Sequence, residues 1–181
     1  MTVKSILLAA GTLAVLATTS CKKDDNGSGG TNTAPSASSL AASTGYITFN
    51  TDKAFNGGTT HTYKEAAPYD QVKCVHSGNA SNFAGIHTVV SGTSATVSTA
   101  SLFVTATGAT KLDFSKSDAV FSIAVATSAG TVQEAYAMDE GTLEVTKLSA
   151  TEIEGTFSGK AINDDAKTSI NVTSGSFSGK F

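Results

Sequence analysis

The chain has 181 residues and a formal net charge of −3 at pH 7, and all of its basic residues other than histidine are lysine. Nucleic-acid-binding domains carry basic stripes and use arginine for bidentate contacts. A weakly acidic chain without arginine therefore argues against a nucleic-acid partner. The length suits one domain with additional terminal segments, and 40% hydrophobic residues are enough for a core.

The first twenty residues are typical of a secretory signal peptide. Lys4 precedes an apolar run over residues 6–17, which is shorter than the about 20 residues that span a bilayer as a helix. Small residues then lead from Ala17 to Ser20, and Cys21 follows. We therefore predict a signal peptide over residues 1–20, with a helix in its apolar part.

The stretch from Thr18 to Cys21 resembles the lipobox of bacterial lipoproteins, although Thr18 stands where leucine is usual. The resemblance implies lipidation at Cys21: its sulfur receives a diacylglycerol, the leader is removed and the new amine is acylated. Several acyl chains, at about 0.8 kcal/mol per buried methylene, would attach the chain permanently to a membrane. An ordinary secretory signal followed by a chance cysteine is the alternative.

Residues 22–25 read Lys-Lys-Asp-Asp, which is similar to the surface-export tag of Bacteroidota lipoproteins. The similarity implies an outer-membrane lipoprotein and leaves open whether it faces outward or toward the periplasm. The alternative is a solvated, charged start to a linker. Residues 21–44 are rich in Gly, Ser, Thr, Asn and Ala and lack apolar periodicity. We predict a flexible, disordered tether over 21–44 and a β-rich domain over 45–181.

The domain region has the pattern of an all-β protein. Val, Ile, Thr and Phe alternate with polar residues, and turn signals recur about every 8–15 residues. No long stretch has the i, i+3, i+4, i+7 spacing of a helix. Short connections favour an antiparallel meander of about 8–11 strands that forms a sandwich or a barrel.

The expected strands and turns follow in chain order, with Asn56-Gly57-Gly58 as a hairpin turn, residues 79–82 as a loop and residues 139–141 as a turn. Residues 95–106 are expected to form a long strand or a strand with a bulge, because the apolar parity changes between Val97 and Leu102. Another bulge is expected near residues 174–175. The strands are expected over 46–51, 60–65, 71–76, 85–91, 95–106, 111–115, 119–127 and 132–138, around 143–146 and 153–160, and from 170 onward.

Residues 155–160 (Gly-Thr-Phe-Ser-Gly-Lys) are nearly repeated at 175–180 (Gly-Ser-Phe-Ser-Gly-Lys). Two copies are too few for a solenoid. We interpret them as antiparallel neighbours in which each glycine makes room for a Phe ring of the other strand. With Gly141-Thr142-Leu143, this block is similar to the end of small Bacteroidota lipoproteins. That resemblance implies a β-sandwich or barrel and an envelope location, and it transfers no catalytic residue.

No catalytic, cofactor or metal motif is evident. Cys74 and His76 share one strand face and His61 lies on an earlier strand, but two neighbouring ligands and one distant histidine do not make a metal signature. We expect Cys74 to be buried as a small hydrophobic residue. The acid pairs at 139–140 and 164–165 fall in turns, where aspartate bonds locally. We therefore expect neither a metal nor a cofactor.

Our first interpretation is a non-catalytic binding or structural module on the outer membrane, attached to lipid through acylated Cys21. It would bind a glycan, a peptide or a neighbouring envelope protein, with exposed tyrosines at 46, 63, 69 and 136 as candidate contacts. The absence of tryptophan weakens the glycan version, because sugars stack best on large rings.

The alternative is a lipocalin-like carrier of a small apolar ligand in a closed barrel. In this reading Phe121, Ile123, Val125, Phe157 and Phe177 line a cavity, unless they simply fill the core, as is usual in small barrels. A hydrolase whose site no motif reveals ranks last.

Overall fold

The computed structural model describes residues 44–66, 70–91 and 94–181. The predicted signal peptide, Cys21 and all of the predicted tether except Thr44 lie outside the described residues. In these ranges no helix is long and apolar enough to cross a membrane. The described residues form ten strands: β1 (Gly45–Phe55), β2 (Gly58–Lys64), β3 (Gln71–Ser77), β4 (Ala80–Ser91), β5 (Ser94–Thr105), β6 (Thr110–Asp113), β7 (Ala119–Thr127), β8 (Val132–Leu148), β9 (Glu152–Asn163) and β10 (Thr168–Lys180).

All of these strands pair antiparallel in one sheet, with the order β2-β1-β10-β9-β8-β7-β5-β4-β3, while β6 pairs with the second half of β8. The all-β antiparallel meander is thereby confirmed from β3 to β10, apart from β6, which leaves the path between β5 and β7. Strand β1 joins the first hairpin to the last strand. The edge strands β2 and β3 approach each other without pairing. The sheet is therefore nearly closed into a barrel, and we call the gap between β2 and β3 the seam.

The core lies inside this barrel and follows the alternation of the sequence. Ile47 and Phe49 of β1 are buried, as expected from their shared face. The same holds for Leu143 and Val145 of β8. Burial of each such side chain stabilises the fold by about 1.5–3 kcal/mol, so the inward rows of the strands fix which face of the sheet is inside.

The first hairpin turn is confirmed at Asn56 and Gly57, whose φ angles are 49° and 78°. Two consecutive positive φ angles are the mark of a type I′ turn, which matches the twist of the strands it joins. The turn sets β2 beside β1 with Phe55 opposite Gly58. It thereby places the edge strand β2 at the seam.

The interpretation of the near-repeat is confirmed. Phe177 lies opposite Gly155, and Phe157 lies opposite Gly175. A Cβ on Gly155 would stand 2.6 Å from Phe177 Cε1, and one on Gly175 would stand 2.6 Å from Phe157 Cδ2. The bulge near 174–175 is confirmed too, because the β9–β10 register shifts there and Ser174 has a φ of 51°.

The turn predicted at residues 139–141 is wrong. Strand β8 continues from Val132 to Leu148, and its register with β9 shifts between Met138 and Glu140. Gly141 has a φ of 129° and lies against the backbone of Ser158 and Gly159. The polar residues and the glycine thus mark a bulge within one long strand, because β9 pairs with both halves of β8.

One smaller expectation is also wrong. Residues 80–82 belong to β4 rather than to a loop, since they pair with both β3 and β5. Residues 95–105 form one long strand rather than a strand with a bulge, because β5 has no register shift against β4 or β7. Val97 and Val132 lie on the outer face of the sheet, and Val132 is 55% exposed.

Candidate functional site

Of the tyrosines proposed as surface contacts, the three that the structure describes do not share one surface. Tyr46 is 41% exposed, but Tyr63 and Tyr136 are 2% and 8% exposed. Tyr69 lies outside the described residues. The expectation of exposure is therefore wrong for Tyr63 and Tyr136, because both occupy inward positions of their strands and bury their rings in the core.

The residues proposed to line a carrier cavity pack against one another. The rings of Phe121 and Phe157 are 4.7 Å apart between centroids, and Phe121 meets Phe49 edge-on at 5.3 Å. Phe177 meets Phe83 edge-on at 5.4 Å. Aromatic pairs at these distances are in favourable contact. The rings therefore fill the middle of the barrel as a solid core.

The three residues considered as metal ligands, His61, Cys74 and His76, each pack in different surroundings. His61 is buried and stacks on Phe49 at 4.9 Å, and burial lowers the pKa of its imidazole. Cys74 is buried as expected, and burial raises the pKa of its thiol to about 12. His76 stacks on Phe181 at 4.5 Å. Across the described residues, no three His, Cys, Asp or Glu side chains lie close enough together to hold a metal ion.

A polar cluster lies at the seam, which no local pattern in the sequence indicated. The Tyr63 hydroxyl donates to Ser98 Oγ at 3.2 Å, and Ser98 Oγ in turn donates to the carbonyl oxygen of His87 at 3.5 Å. His87 Nδ1 pairs with Asp70 Oδ1 at 2.7 Å. A cavity of about 130 Å³ adjoins Tyr63, His87 and Ser98.

The hydrogen bonds of this seam cluster hold strands together and do not activate Ser98 as a nucleophile. A serine nucleophile needs a base that accepts its proton, whereas the Ser98 hydroxyl faces a backbone carbonyl and is itself buried. The Tyr63–Ser98 hydrogen bond instead satisfies two buried hydroxyls on β2 and β5, which are not paired with each other. The cluster as a whole joins β2 to β4 and β5 across the seam.

A larger groove of about 430 Å³ lies on the outer face of the sheet, where β6, β8, β9 and β10 run side by side. The register sets Lys111 opposite Glu144 and Glu144 opposite Thr156. Thr156 is also opposite Ser176. Each hydroxyl can donate and accept a hydrogen bond. The outward side chains that line the groove are Lys111, Thr142, Glu144, Thr156, Ser158, Ser174 and Ser176.

The groove follows from the same near-repeat that builds the core. Phe157 and Phe177 point inward. Their chain neighbours Thr156, Ser158 and Ser176 must therefore point outward, because side chains alternate along a strand. The bulge at Ser174 interrupts the ladder at one end of the groove. The glycines and rings of the near-repeat predicted the core packing, whereas the row of hydroxyls that alternates with them was not predicted to form a site.

Comparison with protein-family models, with curated proteins and with solved structures found no match to this chain. The fold and the geometry of the outer groove therefore carry the functional argument.

Proposed function

We propose that the protein is a non-catalytic binding module that is held at the cell envelope by acylated Cys21 and binds its partner in the outer groove. The observation that carries the proposal is the groove of about 430 Å³, which falls in the size range of ligand sites. The filled core beneath it gives the groove a rigid floor. The anchor rests on the leader, the small residues and the cysteine of the N-terminal sequence.

The groove chemistry favours a peptide segment of a neighbouring envelope protein over a glycan. Hydroxyls of Thr156, Ser158 and Ser176 suit the N–H and C=O groups of an extended chain. Lys111 can pair with an acidic side chain of the peptide, and Glu144 can pair with a basic one. Sugars prefer an aromatic platform, and the one aromatic residue at the groove, Phe157, has its ring in the core.

The carrier alternative has less support. A site for a small apolar ligand needs an apolar cavity of about 300 Å³ or more. The cavity at the seam is about 130 Å³ and is bordered by polar side chains such as His61, Thr60 and Asn56. The rings that a carrier would use as a lining are in contact with each other.

Binding can be tested with a peptide array and a matched pair of variants of the full chain. Thr156→Arg fills the groove, and we expect it to weaken binding of selected peptides at least about 10-fold. Thr59→Arg places the same side chain on an exposed position of β2 away from the groove and should leave affinity unchanged. Equal affinity of both variants, or no peptide retained by the wild-type chain, would contradict the proposal.

The anchor is tested separately by the intact mass of the chain purified from envelopes. We expect a chain that begins at Cys21 and carries acyl groups, and Cys21→Ser should leave the leader attached. Protease treatment of whole cells then reports whether the domain faces outward. An unmodified Cys21 would remove the anchor from the proposal and leave the groove untouched.

A further inference from the structure

One part of the outer surface carries no charge. It comprises the even-numbered positions 82–90 of β4, the odd-numbered positions 95–103 of β5, the even-numbered positions 120–126 of β7, and Val132, Ala135 and Ala137 of β8. We call it the uncharged face. Its side chains are Ala, Val, Ser, Thr, Ile, Phe and Asn, and none of these described outward positions holds Asp, Glu, Lys or His.

The uncharged face ends abruptly at the bulge of β8. Beyond the bulge, the outward side chains of β8 and β9 include Glu140 and Lys160, which lie 3.7 Å apart. Lys147 and Glu152 form a second ion pair at 2.9 Å. Surfaces of soluble domains normally mix charges of both signs, and this second region does so. The lack of charge is therefore local to the outward positions of β4, β5, β7 and the first part of β8 that make up the uncharged face.

The uncharged face is also apolar where a solvated sheet would be polar. Antiparallel sheets with one face in water alternate apolar-in with polar-out, yet β5 and β7 place apolar residues on both faces. Val90, Val120 and Val132 are exposed there. Val97 lies on this face too, which explains the change of apolar parity between Val97 and Leu102 in the sequence.

We propose that the uncharged face pairs with the same face of a second copy of this chain, forming a two-fold symmetric dimer. A two-fold axis sets a surface against itself, so a charged side chain near the axis would meet its own like charge. The uncharged face meets this condition, and the face with Glu140 and Lys160 does not. A lipid surface is disfavoured, because this face has none of the Trp, Tyr, Lys or Arg anchors found at bilayer interfaces.

The area of the face is sufficient for such a dimer. The 17 outward positions of the face, on strands about 4.8 Å apart and about 6.7 Å apart along each strand, cover roughly 550 Å². Two copies would bury about 1,100 Å², which is just above the roughly 1,000 Å² that a specific interface needs. We therefore expect a dimer that dissociates on dilution.

Sedimentation velocity of the full chain in a density-matched detergent tests the proposal over about 1–100 µM. The wild-type chain should shift from monomer to dimer. Ala124→Lys puts a charge on the central strand β7, at a position that is not buried in the core, and should weaken association at least about 100-fold. Ala54→Lys, an exposed alanine of β1, is the matched control and should leave association unchanged.

Mixing Ala124→Lys with Ala124→Glu chains should restore a mixed dimer, because the axis then sets opposite charges together. If Ala124→Lys does not fold, as judged by its thermal transition, Val97→Lys on β5 replaces it. A wild-type chain that stays monomeric at about 100 µM overturns the proposal. So does wild-type-like association of the lysine variant, or binding of a monomer to anionic vesicles through this face.

Discussion

On the β9–β10 side of the barrel, Phe157 and Phe177 each lie over a glycine of the partner strand, and at the seam Tyr63 lies over Gly85 in the same way. The difference lies in the backbone. Strands β9 and β10 are hydrogen-bonded neighbours, whereas β2 and β4 are not. Backbone hydrogen bonds between β9 and β10 hold the first two contacts directly, whereas no backbone hydrogen bond joins the two strands of the Tyr63–Gly85 contact. The β9–β10 side should therefore resist unfolding longer than the seam.

The largest effect should come from Phe157→Ala on the paired side. Its ring contacts Phe121 and Phe177, so its loss leaves a cavity that the ladder of β9 cannot close. We expect a loss of about 3–5 kcal/mol in the free energy of unfolding, measured by urea denaturation. Phe181→Ala, at the half-buried C-terminus, should cost less than about 1 kcal/mol; similar losses in both would show that the core is not centred on Phe157.

The comparison itself is tested by adding one methyl group on each side. A Cβ at residue 155 would overlap the Glu144 carbonyl oxygen as well as the Phe177 ring. At residue 85 the three nearest atoms would all belong to the Tyr63 side chain, with Tyr63 Cβ at 2.8 Å. We expect Gly155→Ala to cost about 3 kcal/mol and Gly85→Ala about 1–2 kcal/mol, because the strands at the seam can separate.

Equal costs in these two variants would mean that the seam is as rigid as the paired side. Amide hydrogen exchange adds a second readout. We expect Gly85→Ala to speed exchange in β2 while β9 keeps its protection, and Gly155→Ala to weaken protection throughout the sheet.

A smaller effect is expected from Tyr63→Phe, which keeps the ring and removes only the hydrogen bond to Ser98. Ser98 Oγ still donates to the His87 carbonyl, so no buried donor is left without an acceptor. The expected loss is about 1 kcal/mol. Tyr46→Phe, on an exposed ring, should change the midpoint of denaturation hardly at all, and a larger loss there than at Tyr63 would contradict the role assigned to the seam cluster.

The smallest effect concerns pH. Burial lowers the pKa of His61 below its ordinary value of 6.5, so the unfolded chain binds a proton more readily than the folded one. Its contribution to stability is therefore complete above pH 6.5 and is lost as the pH falls through the folded pKa. We expect urea midpoints to fall between pH 7.5 and 5, and His61→Phe to reduce that fall; an unchanged slope in the variant would remove His61 as its cause.

Several features of the fold could be predicted from local sequence. Asn56-Gly57 specifies its own turn, because the two residues accept positive φ angles without help. The near-repeat specifies the reciprocal glycine and ring packing, because strand alternation and antiparallel pairing are enough to bring Gly155 to Phe177. The alternation of Phe121, Ile123 and Val125 likewise marks the inner face of β7.

Other features depended on residues far along the chain. Gly141 looks like a turn until β9 is seen to pair with both halves of β8. Tyr63 and Tyr136 were expected on the surface from the sequence, but both are buried inside the barrel. The outer groove combines strands that begin at residue 110 and end at residue 180, so local sequence could not show that Lys111 and Glu144 lie beside the hydroxyls of the near-repeat.

The amino-acid sequence by itself determined the strand class, the inward rows and the reciprocal packing of β9 against β10, because alternation and turn chemistry act over a few residues. The tertiary structure alone decided that the sheet stops short of closing between β2 and β3, that Tyr63 and Ser98 meet there, and that one outer face is free of charge. These depend on how many strands curl together and with what register, which is set by the sum of contacts between distant segments.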